Sequence, residues 1–384
     1  MSSDLVHRYS EYEGQDVQKR WDEGGRYVIE LEKLGQDLGR RLFGAKYVEL
    51  RAISGHVAIL SCVLAFVKSA GLNLELSTSN GGHGTSDLSI RSSAFNYRTE
   101  ALPFDVEEWN VDVDKAKKKI LTTRPDVVTL GSSFYIFPHP VREISEAARE
   151  VGAKVVYDGS HVLGLIAGKQ WPDPLVLGAN VVSASTHKSF AGPQKAIILS
   201  NEEDSWAEIA NILYPGLTTN HHLANVAALV YSMVEYLEFG EALASQIVKN
   251  SRALGRSLAE DYGFDVIGGK NGYSQSHQVL VRTEKILSGK DAAALLDKSN
   301  IICNKMELEG AQGLRLGTSE VTRLGMKEKE MSGVSDFINQ VLHKRKDPSR
   351  VIQEVREFVK PFGKIHYSFE ENSEAYSNLF SNEN

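Results

Sequence analysis

Apolar residues recur at helical spacing near the start of the chain. Val28, Leu31, Leu34, Leu38 and Leu42 line one face of residues 27–43, and Gly44 follows as a stop. A short strand at 47–51 leads into an apolar helix running from about residue 53 to 69. Short apolar runs then alternate with amphipathic ones. Strands are expected at 73–77, 96–103, 126–131, 154–158, 180–184 and 195–200. Helices are expected at 113–123, 140–151, 206–213 and 223–244. Brief apolar strands separated by helices imply a mostly parallel sheet covered on both faces.

Past residue 245 the pattern changes. A helix over 246–262 precedes strand-like runs at 264–267, 276–282, 301–303 and 313–317, with helices at 290–299 and 326–341. This reads as a smaller α+β domain. The expected division is an N-terminal arm (1–25), a large cofactor-binding domain (26–245), a small domain (246–345), and a C-terminal helix at 348–359 with an acidic tail, together 346–384. A chain of 384 residues accommodates such an arrangement.

Composition narrows the function. Hydrophobic residues make up 42% and charged residues 24%, as in an ordinary globular protein. The net charge of −7 argues against a general nucleic-acid partner. No apolar stretch reaches the roughly eighteen residues of a membrane span. The first residues lack the apolar core of a signal peptide, so a cytoplasmic protein is expected. Cys62 and Cys303 lie in apolar runs and read as reduced core residues, and no metal-ligand spacing occurs.

The chemistry concentrates on two segments. Asp158 ends one apolar strand, and Lys188 follows the next in Ser-Thr-His-Lys-Ser-Phe-Ala-Gly-Pro-Gln (residues 185–194). An acid and a lysine so placed are what pyridoxal 5′-phosphate requires. The lysine amine condenses with the aldehyde, while the carboxylate keeps the ring nitrogen protonated as an electron sink. His161 is a candidate beside the ring, His187 for cofactor or substrate carboxylate, and Thr186 as a donor or proton shuttle. Ser54, Gly55 and His56 sit where a strand turns into a helix, a place for a phosphate. A second Gly-rich loop at 81–86 offers His83 as a ring-stacking group or an acid/base. Arg315, inside Gly-Leu-Arg-Leu-Gly-Thr (313–318), needs an anionic partner; a substrate carboxylate or an internal acid would serve.

Three motifs stand in order: Asp-x-x-His-x-x-Gly-Leu (158–165), Ser-Thr-His-Lys-x-x-x-Gly-Pro (185–193) and Gly-x-Arg-x-Gly-Thr-x-x-x-Thr-Arg (313–323). Together they resemble the serine hydroxymethyltransferase family, of pyridoxal phosphate fold type I. Leu-Phe-Gly-Ala (42–45), Tyr-Pro-Gly (214–216) and Ile-Cys-Asn-Lys (302–305) support the resemblance, which extends over about 26–342. It implies Lys188 as the cofactor-linked lysine, Asp158 as the ring-nitrogen partner, and His161 and Ser133 near the ring oxygen. It also implies Ser54 and Gly55 at the phosphate, Arg315 at the substrate carboxylate, and a homodimer or dimer of dimers.

The chain departs from the family in definite places. His56-Val57 replaces Ser-Gln, Gln194-Lys195 replaces Arg-Gly-Gly, and 217–222 replaces a glutamine and glycines. The family's Ser-Glu-Asn segment is not found, and Tyr9-Ser-Glu11 or Tyr12-Glu-Gly14 are imperfect echoes of its Tyr-Ala-Glu-Gly. The cofactor core is kept while the folate-facing parts change. The expected activity is therefore Cα–Cβ cleavage or formation on a small β-hydroxy amino acid, with tetrahydrofolate set aside and Glu11, His83 or a residue from a partner subunit as candidate base. The alternatives are hydroxymethyl transfer with tetrahydrofolate, or a racemase or transaldolase.

Overall fold

The computed structural model describes residues 3–84, 95–370 and 373–375. Thr85 and Ser86 of the second Gly-rich loop, and residues 371–372 and 376–384 of the acidic tail, lie outside them. The chain divides into two compact units: Met1–Asp105, Asn110–Ser133 and His139–Glu238 in the first, Val106–Trp109, Phe134–Pro138 and Phe239–Asn384 in the second.

In the first unit, helix α1 spans Arg26–Phe43 and ends where Gly44, at φ 65°, donates its N–H to the Arg40 carbonyl. Its buried stripe is Val28, Glu32, Gly35, Leu38, Gly39 and Phe43, whereas Leu34, expected in the core, is 48% exposed. The two glycines explain the rotation. A Cβ at Gly35 would lie 2.8 Å from both Leu50 and Val230, and one at Gly39 2.8 Å from Val48. The helix thus packs through its smallest residues, which brings its backbone close to its neighbours.

Strand β1 (Tyr47–Glu49), helix α2 (Gly55–Phe66), and strands β2 (Leu72–Glu75) and β3 (Arg98–Ala101) follow. A two-stranded ribbon, β4 (Phe104–Asp105) and β5 (Asn110–Val111), precedes α3 (Val113–Thr123), β6 (Val127–Gly131), α4 (Val141–Val151) and β7 (Lys154–Asp158). Then come a short helix α5 (Leu163–Ala167) that the periodicity does not reveal, β8 (Val181–Ser185), β9 (Ala196–Ser200), α6 (Glu203–Asn211) and α7 (Leu223–Arg256), whose residues from Phe239 on belong to the second unit. Seven strands form one sheet in the order β1-β9-β8-β7-β6-β2-β3. Neighbours pair in parallel from β3 through to β8; only β9 runs against the rest. Ala58, Ile59 and Cys62 of α2 pack on Val127, Val156 and Val181, so apolar side chains on the sheet are covered by helix.

Two corrections concern the later chain. The expected helices at 223–244 and 246–262 are one 34-residue helix, α7, because the polar Ser245 between them is no breaker. Residues 301–303 are not a strand. In the second unit, β10 (Asp265–Val266), β11 (Gln278–Arg282), β12 (Asn304–Leu308) and β13 (Ala311–Gly317) form an antiparallel sheet, order β10-β11-β13-β12. The tight turn at Gly310 (φ 69°) pairs Leu308 with Ala311, and this hairpin, not the apolar run Ile301-Ile302-Cys303, sets the register. Helix α8 (Gly289–Asp297), α9 (Ser319–Arg323), α10 (Glu328–Leu342) and α11 (Pro348–Val359) complete the unit. Its core includes Val279, Leu296, Leu314, Met331, Ile338 and Leu342. Among the described residues no helix is long and apolar enough to cross a membrane.

Candidate active site

Parallel strands deliver their C-terminal ends to one edge, where α/β sheets bind ligands. Gly131 ends β6, Asp158 ends β7, and the two are paired; Asp158 is also paired with Ser183 of β8. A Cβ at Gly131 would lie 2.6 Å from the Asp158 Cβ, so a glycine there lets the half-buried carboxylate keep its place. The Ser160 N–H donates to Asp158 Oδ1 at 3.0 Å, and the Ser185 N–H donates to Ser160 Oγ at 3.0 Å. These two bonds tie the end of β7 to the end of β8.

Helix α2 starts against the same edge. Ser54 caps it, its Oγ accepting from the Val57 N–H at 3.2 Å. A Cβ at Gly55 would lie 2.9 Å from Ser185 Cβ and 3.4 Å from Ser160 Oγ. The Ser185 hydroxyl is buried without a hydrogen-bond partner. A buried donor lacking a partner, beside the positive end of a helix and a glycine that clears space, suits a phosphate.

Lys188 lies on the hairpin loop between β8 and β9. The Thr186 N–H donates to the Lys195 carbonyl at 3.0 Å and the Gly192 N–H to the Thr186 carbonyl at 2.7 Å. The Thr186 hydroxyl is used within this loop, donating to the Pro193 carbonyl at 2.7 Å. His187 is exposed and Lys188 half-buried. Partial burial, and then the Lys188 charge, hold the His187 pKa below its ordinary value.

Other expected residues gather at this edge. The Ser133 N–H and the Ser132 hydroxyl both donate to the Gly81 carbonyl, at 2.7 and 2.9 Å, which fixes the loop carrying His83. Gly82 is required there: a Cβ would fall 1.8 Å from the Leu76 carbonyl oxygen. His83 and His56 have ring centroids 6.2 Å apart, and burial with the neighbouring His83 holds the His56 pKa down. A small pocket is lined by Asp158, Gly131, Thr129, Glu75, His83 and others. His161 is half-buried between β7 and α5.

One expected residue of the first unit stands elsewhere. Glu11 sits near Asp22, His221 and Tyr214; burial, and then the Asp22 charge, raise its pKa. Arg315 belongs to the second unit. Its guanidinium donates to Asn304 Oδ1 at 2.8 Å and lies 5.0 Å from the Phe134 ring centroid, and burial lowers its pKa.

Sequence reasoning passed over Glu75 and Ser160. Glu75 is 6% exposed, within an apolar strand. A buried carboxylate in Leu72-Asn-Leu-Glu-Leu76 is itself the signal that was available.

A helix start, a carboxylate and a lysine on the adjoining hairpin lie on this one sheet, and the protein is a pyridoxal phosphate enzyme of fold type I. A family model described as serine hydroxymethyltransferase matches residues 1–338, and the chain belongs to that family. It is 41% identical to the serine hydroxymethyltransferase of Staphylothermus marinus, over 98% of this chain and 87% of the relative. It is 42% identical to that of Thermococcus kodakarensis, over 96% and 88%. Among solved structures, an L-threonine transaldolase from Pseudomonas fluorescens in its internal aldimine state superimposes with a TM-score of 0.88 at 28% identity, covering 94% of this chain and 83% of that one.

Proposed function

We propose that the protein breaks or forms the Cα–Cβ bond of a small β-hydroxy α-amino acid, interconverting it with glycine and an aldehyde, without a folate. The observation that carries this reading is the retention of Ser54, Gly55, Asp158, His161 and Lys188, while the departures are His56-Val57 beside the phosphate turn, Gln194-Lys195 and residues 217–222. Pyridoxal phosphate, when bound, supplies the electron sink. Lys188 would hold the cofactor through its aldehyde and is the group that a substrate amine would replace. Asp158 keeps a proton on the ring nitrogen. Ser54, Gly55 and Ser185 hold the phosphate, and His161 and Ser133 flank the ring. Arg315 fixes the substrate carboxylate with paired hydrogen bonds and so orients the bond that breaks. His83, exposed and lining that small pocket, takes the β-hydroxyl proton in this reading.

A second reading is hydroxymethyl transfer between serine and tetrahydrofolate. Its support is the naming of the curated relatives at 41–42% identity. Absorbance of the cofactor-loaded protein separates the two. A red-shifted band with glycine alone, and aldehyde release from threonine or serine without folate, are expected. A band and serine cleavage that both require tetrahydrofolate would overturn the folate-independent reading.

Arg315→Ala is expected to weaken amino-acid binding roughly 10- to 100-fold, the scale of a charge-assisted pair, with little change for the cofactor. Spectral titrations with glycine and with pyridoxal phosphate measure both; equal losses would sink the carboxylate role.

A homodimer is part of the same proposal. The first unit exposes Trp21, Tyr27 and Leu34, and on α7 Tyr231, Val234 and Leu237, each between 37 and 75% exposed. Sedimentation of the loaded enzyme should give twice the 42.4 kDa chain mass, and a monomer at working concentration would refute it.

A further inference from the structure

Away from the cofactor edge, the first unit buries a second set of charged groups. Arg51 is fully buried and bonds Glu49 through Nε at 2.9 Å and Nη2 at 2.6 Å. Arg51 also donates to the carbonyls of Tyr12 and Gly14, at 2.9 and 2.8 Å. Arg20 pairs with Glu32 and donates to the carbonyls of Ser10 and Val17. The Tyr12 ring lies between the two guanidiniums, 4.5 Å from Arg20 and 4.3 Å from Arg51. Two buried arginines therefore grip the backbone of residues 10–17, and two carboxylates balance them.

Lys195 is the remaining cation of this set. It is fully buried, and its Nζ donates to the His221 carbonyl at 2.7 Å. The His221 ring returns to the set, its Nε2 lying 2.6 Å from Glu32 Oε1. Burial pushes the Lys195 pKa down to about 7, with Glu49 and Glu32 working against the shift. Around it stand Glu32 of α1, Glu49 of β1, Arg51, Tyr12 and Arg20 of the N-terminal segment, and His221 and His222 of the loop before α7. The Lys195 carbonyl also accepts the Thr186 N–H and closes the loop that carries Lys188. Two segments where the chain departs from its family, Gln194-Lys195 and 217–222, thus meet in one buried cluster with the N-terminal segment.

We propose that Lys195, acting with His221 and Glu32, is a positioning residue that locks the Lys188 loop to the seated N-terminal segment. The chain of contacts runs from the Lys188 loop through the Lys195 ammonium to the 217–222 loop, then through His221 to Glu32, and through Arg20 to residues 10–17. Lys188 is therefore held in its working position only while that segment is docked. The proposal rests on the reading of Lys188 as the cofactor-linked lysine, but the tether itself does not need the cofactor.

The test uses Lys195→Met, which keeps length and shape but removes the donor, and Glu32→Gln, which keeps the shape but removes the charge. In the cofactor-free full chain, amides of residues 186–192 and 217–222 should exchange roughly tenfold faster in each variant, the scale of one lost hydrogen bond. Trypsin should cut sooner after Lys19 and Arg20, while amides of β11 and β13 keep their rates. In the loaded protein, the pH midpoint of the lysine-linked cofactor absorbance should shift. Unchanged exchange in the two loops, or an equal rise throughout the chain, would overturn the tether. If the exchange result holds but neither Lys195→Met nor Lys188→Ala alters the absorbance, the tether stands and the assignment of Lys188 falls.

Discussion

Lys188→Ala is expected to remove the absorbance of the lysine-linked cofactor and to lower turnover roughly a thousandfold or more, as loss of a covalent catalytic group does. Cofactor affinity should fall far less. The helix start at Ser54 and Gly55, the Ser185 hydroxyl and the Asp158 carboxylate do not depend on the lysine for their positions. The separation of effects is the informative part. A variant that still binds pyridoxal phosphate but yields no borohydride-fixed adduct places the covalent link at residue 188. A retained band, or an adduct on another lysine, would remove Lys188 from that role.

Glu49→Gln should cost about 3–5 kcal/mol of stability, the penalty for stranding one partner of a buried ion pair. Arg51 is fully buried, and with a neutral amide at position 49 its charge is left with neutral partners there and at the Tyr12 and Gly14 carbonyls. Burial opposes the Glu49 charge, yet the Arg51 guanidinium and its hydrogen bonds outweigh that and hold the carboxyl below its ordinary pKa. The sign follows. The folded protein binds this proton less readily than the unfolded chain, so the stabilisation is present above the ordinary carboxylate pKa and is lost as pH falls through the folded value. Urea unfolding at neutral pH measures the effect, and the difference between variant and parent should shrink in acid. A loss below about 1 kcal/mol would put the pair among weak surface contacts. Adding Arg51→Met to Glu49→Gln should recover part of the loss, since no lone charge is then left inside.

Much of the sheet was legible because its strands are short, apolar and buried on both faces. Residues 113–123 and 348–359 were read to their exact ends because Asp112 and Asp347 cap them and their periodicity is clear. The rotation of α1 was hidden. It depends on Gly35 and Gly39, whose part in packing appears only when Leu50, Val48 and Val230 are in place. The 301–303 strand failed for a related reason: an apolar run states a preference for burial, while pairing is decided by the turn at Gly310. At the site, the sequence could bring Asp158 and Lys188 to neighbouring strand ends, because each follows its own apolar run. It could not show Ser160 bridging them, nor the cluster of Arg20, Glu32, Glu49, Arg51 and Lys195. Those charges come from four separate stretches of chain, and the pattern of any one of them is that of a solvated residue.

The hairpin and the edge strand form on different scales of distance along the chain. Strands β8 and β9 are joined directly, so the loop bearing Lys188 can close as soon as its two flanks exist, within microseconds for a local hairpin. Strand β1 must find β9 across the whole first unit, Tyr47 pairing with Ser200. The turn at Ser54 and Gly55, which follows β1, reaches Ser185 only when that distant pairing is made. During synthesis the first helices emerge long before their partners and wait with their apolar faces uncovered. Capture of the cofactor then marks the moment when the earliest and latest parts of the sheet have met, and a ligand that binds only that assembled state holds it together by mass action.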